Sequence, residues 1–77
     1  MDYSKMQTLH VVVPLSAPEG EKPWDMETWC SKNCDGEHTS MVDVNATNDT
    51  FTCRFLFEKD SDIQGFKGKF GQYVKAA

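Results

Sequence analysis

Side chains that can bind a metal recur at intervals of four along this chain, at Cys30, Cys34 and His38. Zinc is held by about four sulfur or nitrogen ligands in a tetrahedron, and Cys53 could supply the fourth. An Asp-Gly pair after Cys34 predicts, however, that the helix carrying both cysteines ends before His38. The spacing therefore favours buried or half-buried free cysteines, with no metal and no cofactor. A zinc site, or a disulfide from Cys34 to Cys30 or to Cys53, is the alternative.

Catalytic groups are not assembled by any motif in the sequence. A cysteine nucleophile needs a nearby base that lowers the pKa of its thiol, and nothing fixes either histidine beside a cysteine. Two pairs of carboxylates, Asp25 with Glu27 and Asp60 with Asp62, could in principle act as acid and base. Each pair stands at a predicted helix start, where negative charge stabilises the positive end of the helix dipole. We therefore expect no enzymatic activity.

Length and charge restrict the class of protein. The 77 residues are enough for one small domain, so residues 1–77 are expected to form a single unit with a thin core. A net charge of −4 argues against a phosphate-binding surface and suits a basic protein partner instead. The sequence contains no export signal and no membrane span, and three cysteines favour reduced thiols. We expect a cytoplasmic protein.

The first half of the chain predicts a strand followed by a helix. After a loose start at residues 1–5, apolar and polar residues alternate, which predicts a strand from about Gln7 to Val13. A loop rich in proline and glycine follows. Pro23 suits a first helical turn, so we expect a helix from about Pro23 to Asn33, with Met26, Trp29 and Cys30 facing inward.

The second half begins with a predicted hairpin. Alternation from Met41 to Ala46 predicts a strand with Val42 and Val44 on its covered side, and residues 46–50 form the turn. Next, the hydrophobic period changes from two to between three and four. The side chains that follow this change are Phe51, Cys53, Phe55 and Phe57 on one face of a strand, then Ile63, Phe66 and Phe70 along a helix. Asp60 or Ser61 is the expected cap of this helix, and Gly71 its end.

The segment FLFEKDSDIQGFKGKFG, from Phe55 to Gly71, resembles the third strand and second helix of ferredoxin-like α/β plaits. It is similar to small phage-encoded proteins in which a strand ending F-x-F precedes an acidic helix cap and F-K-x-x-F-G. This resemblance implies an α+β fold of order β-α-β-β-α, with helices on one face of an antiparallel sheet. The tail, residues 72–77, could fray, extend the helix, or add a short strand through Tyr73 and Val74. A phage protein that acts on a host protein, in the host cytoplasm, is the implied setting.

The same segment also resembles the RNA-recognition-motif domain, in which aromatic side chains of the third strand stack on bases. In this chain the corresponding open face would carry Thr52, Arg54 and Leu56, none of which provides a stacking ring. Without a stacking ring this function is less favoured. Nucleic-acid association, through Lys67, Lys69 and Lys75, is kept as the alternative function.

The leading hypothesis is a small acidic protein-binding module, a phage-encoded modulator or inhibitor of a host protein, without chemistry of its own. The candidate contact residues are Trp24, Asp25, Glu27, Asp43, His10 and Val12. Trp24 is expected to close the core against the preceding loop, or else to be an exposed anchor. The outer edge of the first strand is expected to be covered by the tail or by a second chain, which could be another copy of this one.

Overall fold

The computed structural model describes residues 5–75, so the start at residues 1–4 and the end of the tail at residues 76–77 lie outside the described part. Its elements are strand β1 (Gln7–Pro14), helix α1 (Pro23–Asn33), strand β2 (His38–Asn45), strand β3 (Thr50–Phe57), helix α2 (Asp60–Phe70) and a 3-10 turn (Gly71–Tyr73). This arrangement confirms the predicted α+β class.

The sheet has three strands in the order β1-β3-β2, and the central strand β3 is antiparallel to both neighbours. Val11 and Val42 lie on either side of Cys53, so these three side chains point to the same face. The hairpin turn between β2 and β3 forms where predicted, and Asp49 adopts a left-handed conformation there with φ of 54°. Because β3 is the central strand, β2 lies at an edge of the sheet.

The core lies between one face of the sheet and both helices. Phe66 of α2 contacts Phe55 and Phe57 of β3, with ring centroids 4.9 and 5.5 Å apart. Met26 and Cys30 of α1 are buried in the same cluster. The prediction that the helices cover a single face of an antiparallel sheet is therefore confirmed for the described residues.

Helix α1 begins at Pro23, as the sequence predicts, and Asp25 fixes its start. One carboxylate oxygen of Asp25, Oδ2, accepts the backbone N–H groups of Gly20 and Lys22 at 2.9 and 3.1 Å. Gly20 has φ of +93°, a conformation that favours glycine, so the loop can turn back toward the helix. The carboxylate of Asp25 thus satisfies backbone donors at the helix entrance.

Two predicted boundaries differ from the structure, and a third agrees. Strand β2 begins at His38 instead of Met41, because residues 38–40 pair with Phe57 through Phe55 of β3. Neither Asp60 nor Ser61 caps α2, since Lys59 is the cap residue and makes no side-chain cap hydrogen bond. Gly71 is the C-cap of α2, as predicted, although it adopts a right-handed conformation with φ of −55° and the chain continues into the 3-10 turn.

The tail returns to the outer edge of β1. Val74 forms an antiparallel bridge with Val11, and the N–H of Lys75 donates to the carbonyl of His10 at 2.8 Å. The phenol of Tyr73 donates to Glu21 at 3.0 Å, which ties the tail to the loop before α1. The described part of the tail therefore combines two of the predicted alternatives, a helical turn at Gly71–Tyr73 and one strand-like bridge at Val74.

Candidate protein-binding surface

The cysteines lie in positions that suppress thiolate chemistry. Burial, with the thiol of Cys34 beside it, raises the pKa of the Cys30 thiol far above its ordinary value. Burial and the negative charge of Asp62 raise the pKa of Cys34, and burial raises the pKa of Cys53 to about 11. All three thiols are therefore protonated at neutral pH, and a protonated thiol is a poor nucleophile and a poor metal ligand.

The weak metal candidates are not brought together as a set. Cys30 and Cys34 lie near each other at the end of α1, while His38 begins β2 opposite Phe57. Within residues 5–75, no group of three or more His, Cys, Asp or Glu side chains is placed to hold a metal ion. His38 and Cys30 instead line a cleft of about 280 Å³ between α1 and β2, which we call the α1–β2 cleft; Glu27, Ser31 and Ser40 also line it.

An apolar cluster is exposed on the helix side of β2. We call it the edge patch, and it consists of Trp24, Val42, Val44 and Phe51. Trp24 lies edge-on to Phe51 with ring centroids 5.7 Å apart, and Val44 pairs with Phe51 in the sheet. Val44 is 64% exposed, Trp24 51% and Val42 37%. A cluster of exposed apolar side chains of this kind is a candidate binding surface.

Trp24 does not close the core against the preceding loop, so the favoured sequence interpretation of this residue is wrong. The inward stripe of α1 is carried by Met26 and Cys30, whose side chains are buried, while the indole of Trp24 projects over Phe51 at the rim. The residue Trp24 is 51% exposed. The structure thus places Trp24 in the position of the alternative, an exposed aromatic side chain of the type enriched at binding hot spots.

The sequence did not indicate that Val42 and Val44 are exposed. Both lie on the helix-facing side of β2, as the alternation predicts, but α1 does not cover this part of the edge strand. Alternation reports which side of a strand a residue occupies and says nothing about what lies above it. The ferredoxin-like resemblance is the signal that could have indicated their exposure, because in that fold the second strand lies at an edge of the sheet.

The three acidic candidates lie in different settings. Asp25 is engaged at the start of α1 and is only partly exposed. Glu27 is exposed on α1 and accepts a hydrogen bond from the hydroxyl of Ser40 on β2 at 2.9 Å. Asp43 is exposed on the opposite side of β2, in register with Thr52. Glu27 and Asp43 therefore flank the β2 edge, one from each face of the sheet.

His10 and Val12 lie on the open face of the sheet, away from the edge patch. They pair with Arg54 and Thr52 of β3. The open face follows the predicted register, with Thr52 and Arg54 exposed, although Leu56 is only 8% exposed between Thr8 and Thr39. Since Trp24, Asp25 and Glu27 belong to α1, on the helix side of the sheet, the six candidate residues do not form one continuous surface.

The two sheet edges differ. The tail occupies the β1 edge at His10 and Val11, leaving beside it a cleft of about 370 Å³, the β1 groove. Lys67 and Lys75 line this groove together with His10. Strand β2 has no strand partner on its outer side within the part of the chain that the structure describes. The β2 edge is therefore the more open of the two.

No protein-family model, no curated protein and no solved structure matches this chain. Across residues 5–75, neither helix is long and apolar enough to cross a membrane.

Proposed function

We propose that this chain is a small acidic protein-binding module, without catalytic activity, whose partner docks on the edge patch and the outer edge of β2. The observation that carries the proposal is the exposed indole of Trp24 over Phe51, beside a strand edge with no described partner. An aromatic anchor supplies contact area at low entropic cost, and an open strand edge supplies backbone donors and acceptors.

The charge around the edge supports a basic partner. Glu27 and Asp43 flank β2 on its two faces, and their two carboxylates outnumber the guanidinium of Arg54, which reaches Met41 of β2 on the open face. Complementary charge of this kind steers a partner to the surface and fixes its orientation more than it adds affinity. Reversal of Glu27 and Asp43 to lysine should therefore slow association, whereas loss of Trp24 should speed dissociation.

The finer fold and biological setting are part of the same proposal. A ferredoxin-like plait has its first strand between the third and the fourth, and the order β1-β3-β2 with Val74 bridged to the outer side of Val11 fits a fourth strand reduced to one bridge. With the resemblance of residues 55–71 to small phage proteins, this supports a phage-encoded modulator or inhibitor that acts in the host cytoplasm.

Capture from a bacterial lysate tests the proposal when variants of the bait are compared. The tagged wild-type protein is expected to retain a specific host protein, which is lost with Trp24→Ala and with Val44→Glu. Thr8→Glu is the matched control, because Thr8 is exposed on β1 at the far side of the sheet. If the same protein is retained by all three variants, the edge patch is not the binding surface.

Nucleic-acid association is the second candidate because the β1 groove brings Lys67 and Lys75 beside His10. Phosphate binding by these side chains would release counterions and weaken steeply as salt increases. Titration of single-stranded RNA at low and moderate salt, with Lys67→Ala and Lys32→Ala as test and control, checks this candidate. Absence of binding at low salt would remove it.

A further inference from the structure

The edge patch and the α1–β2 cleft lie on the same side of the same edge strand. Phe51, under the indole of Trp24, pairs with Val44, near one end of β2. Ser40 and Glu27 line the cleft near the other end. Val42 lies midway between Val44 and Ser40 along the strand. The apolar edge patch lies on one side of Val42 along β2, and the α1–β2 cleft lies on the other side. A two-fold axis at Val42 would place the edge patch of each copy against the cleft of the other, which is the self-complementary arrangement that a two-fold interface requires.

We propose that, in the free protein, a second copy of the chain covers this edge: the two β2 strands pair antiparallel, with Val42 on the two-fold axis. The inference rests on the proposed function, because it names an occupant of the same surface. A host partner would then compete with the second copy.

On the helix side, this register places Val44 of one copy opposite Ser40 of the second copy. Trp24, which stands over the row of Val44 and Phe51, is thereby brought beside the α1–β2 cleft of the second copy. The symmetry repeats the contact, so both indoles are removed from water. The two copies of Val42 meet directly at the axis.

On the open face, the same register produces complementary charge. Asp43 of one copy lies opposite Met41 of the second copy. Within each chain Arg54 pairs with Met41 and reaches toward it, with Nη2 of Arg54 at 3.9 Å from Sδ of Met41. The carboxylate of Asp43 therefore meets the guanidinium of Arg54 of the second copy, and the symmetry makes two such pairs. Asp43 is the only acidic residue of β2, so no carboxylates of the two strands oppose each other.

Sedimentation of the purified protein over a wide range of concentration tests the dimer. The wild-type protein is expected to shift from monomer to dimer as concentration rises. Val42→Lys places two ammonium groups together at the axis and should raise the dimer dissociation constant about 100-fold. Thr8→Lys adds the same charge to the opposite edge and should leave the constant unchanged. A wild-type monomer at every concentration, or a dimer that Val42→Lys leaves intact, would overturn the inference.

A charge exchange tests the register. Asp43→Arg and Arg54→Asp should each weaken the dimer, and the double variant should restore it, because each new arginine again faces a new aspartate. A double variant no better than the single variants would refute this register. Failure of these tests, combined with lysate capture that still depends on Trp24, would remove the dimer and leave the proposed function. Conversely, a dimer that passes both tests while no host protein is captured would contradict only the proposed function.

Discussion

The carboxylate of Asp62 joins the second helix to the loop that follows the first, because it accepts the backbone N–H of Gly36 at 2.9 Å. Its other oxygen accepts the N–H of Asp35 at 3.0 Å, and the side chain is only 5% exposed. Two helices distant in sequence are therefore held together by one buried anion. This role goes beyond the sequence interpretation of Asp62 as a helix-dipole charge.

Asp62→Asn should lower the free energy of unfolding by about 1–3 kcal/mol, because the new amide NH₂ faces a backbone donor and leaves it unsatisfied. Asp60→Asn is the matched control, since Asp60 is exposed in the same first turn and should cost less than about 1 kcal/mol. Urea denaturation of both variants measures the difference. Equal losses for the two would show that helix-dipole charge, and not the contact with the loop, accounts for the effect.

The glycines of α2 predict opposite responses to alanine. A Cβ at Gly68 would meet nothing within 4 Å, so Gly68→Ala should raise the free energy of unfolding by about 1 kcal/mol through helix propensity alone. A Cβ at Gly65 would lie 3.3 Å from Cη2 of Trp29, so Gly65→Ala should gain less or destabilise. Thermal unfolding of the two variants compares them, and an equal gain would mean that Trp29 shifts freely.

The two tryptophans should differ in their effect on stability. Trp29 lies 6.0 Å by ring centroids from both Phe66 and Phe70, so Trp29→Ala should cost about 3 kcal/mol. Trp24 is half exposed, and Trp24→Ala should cost no more than about 1 kcal/mol. Denaturation of both variants measures this. A large loss for Trp24→Ala would make that variant unsuitable for judging binding.

Stability should fall at alkaline pH because Cys53 is buried. Its thiol ionises near the ordinary pKa of 9.0 in the unfolded chain and near about 11 in the folded protein. The stabilisation is complete below pH 9 and is lost as pH rises toward about 11, since only the unfolded state gains the charge. Urea unfolding across this range should give a shallower decline for Cys53→Ala than for the wild type. Parallel declines would mean that other groups produce the effect.

Much of the fold could be predicted from the sequence because hydrophobic periods are local. Alternation at Val11 and Phe55 and the helical stripe through Phe66 each describe one element by itself, and Pro23 marks a helix start through its own backbone restriction. These signals also imply that the rings of the third strand point toward the helices. The contacts between Phe55, Phe57 and Phe66 bear this out.

What only the tertiary structure decided is which of these faces and edges are covered. Val42 alternates like Val11, yet Val11 is fully buried and Val42 is 37% exposed, because β2 is an edge strand that α1 covers only in part. In the sequence, Asp62 is one of several carboxylates in a first helical turn, and only the folded structure brings the N–H of Gly36 against it. Coverage depends on elements distant in sequence, and a local pattern cannot report it. The candidate binding surface therefore emerged from the packing of α1 against β2.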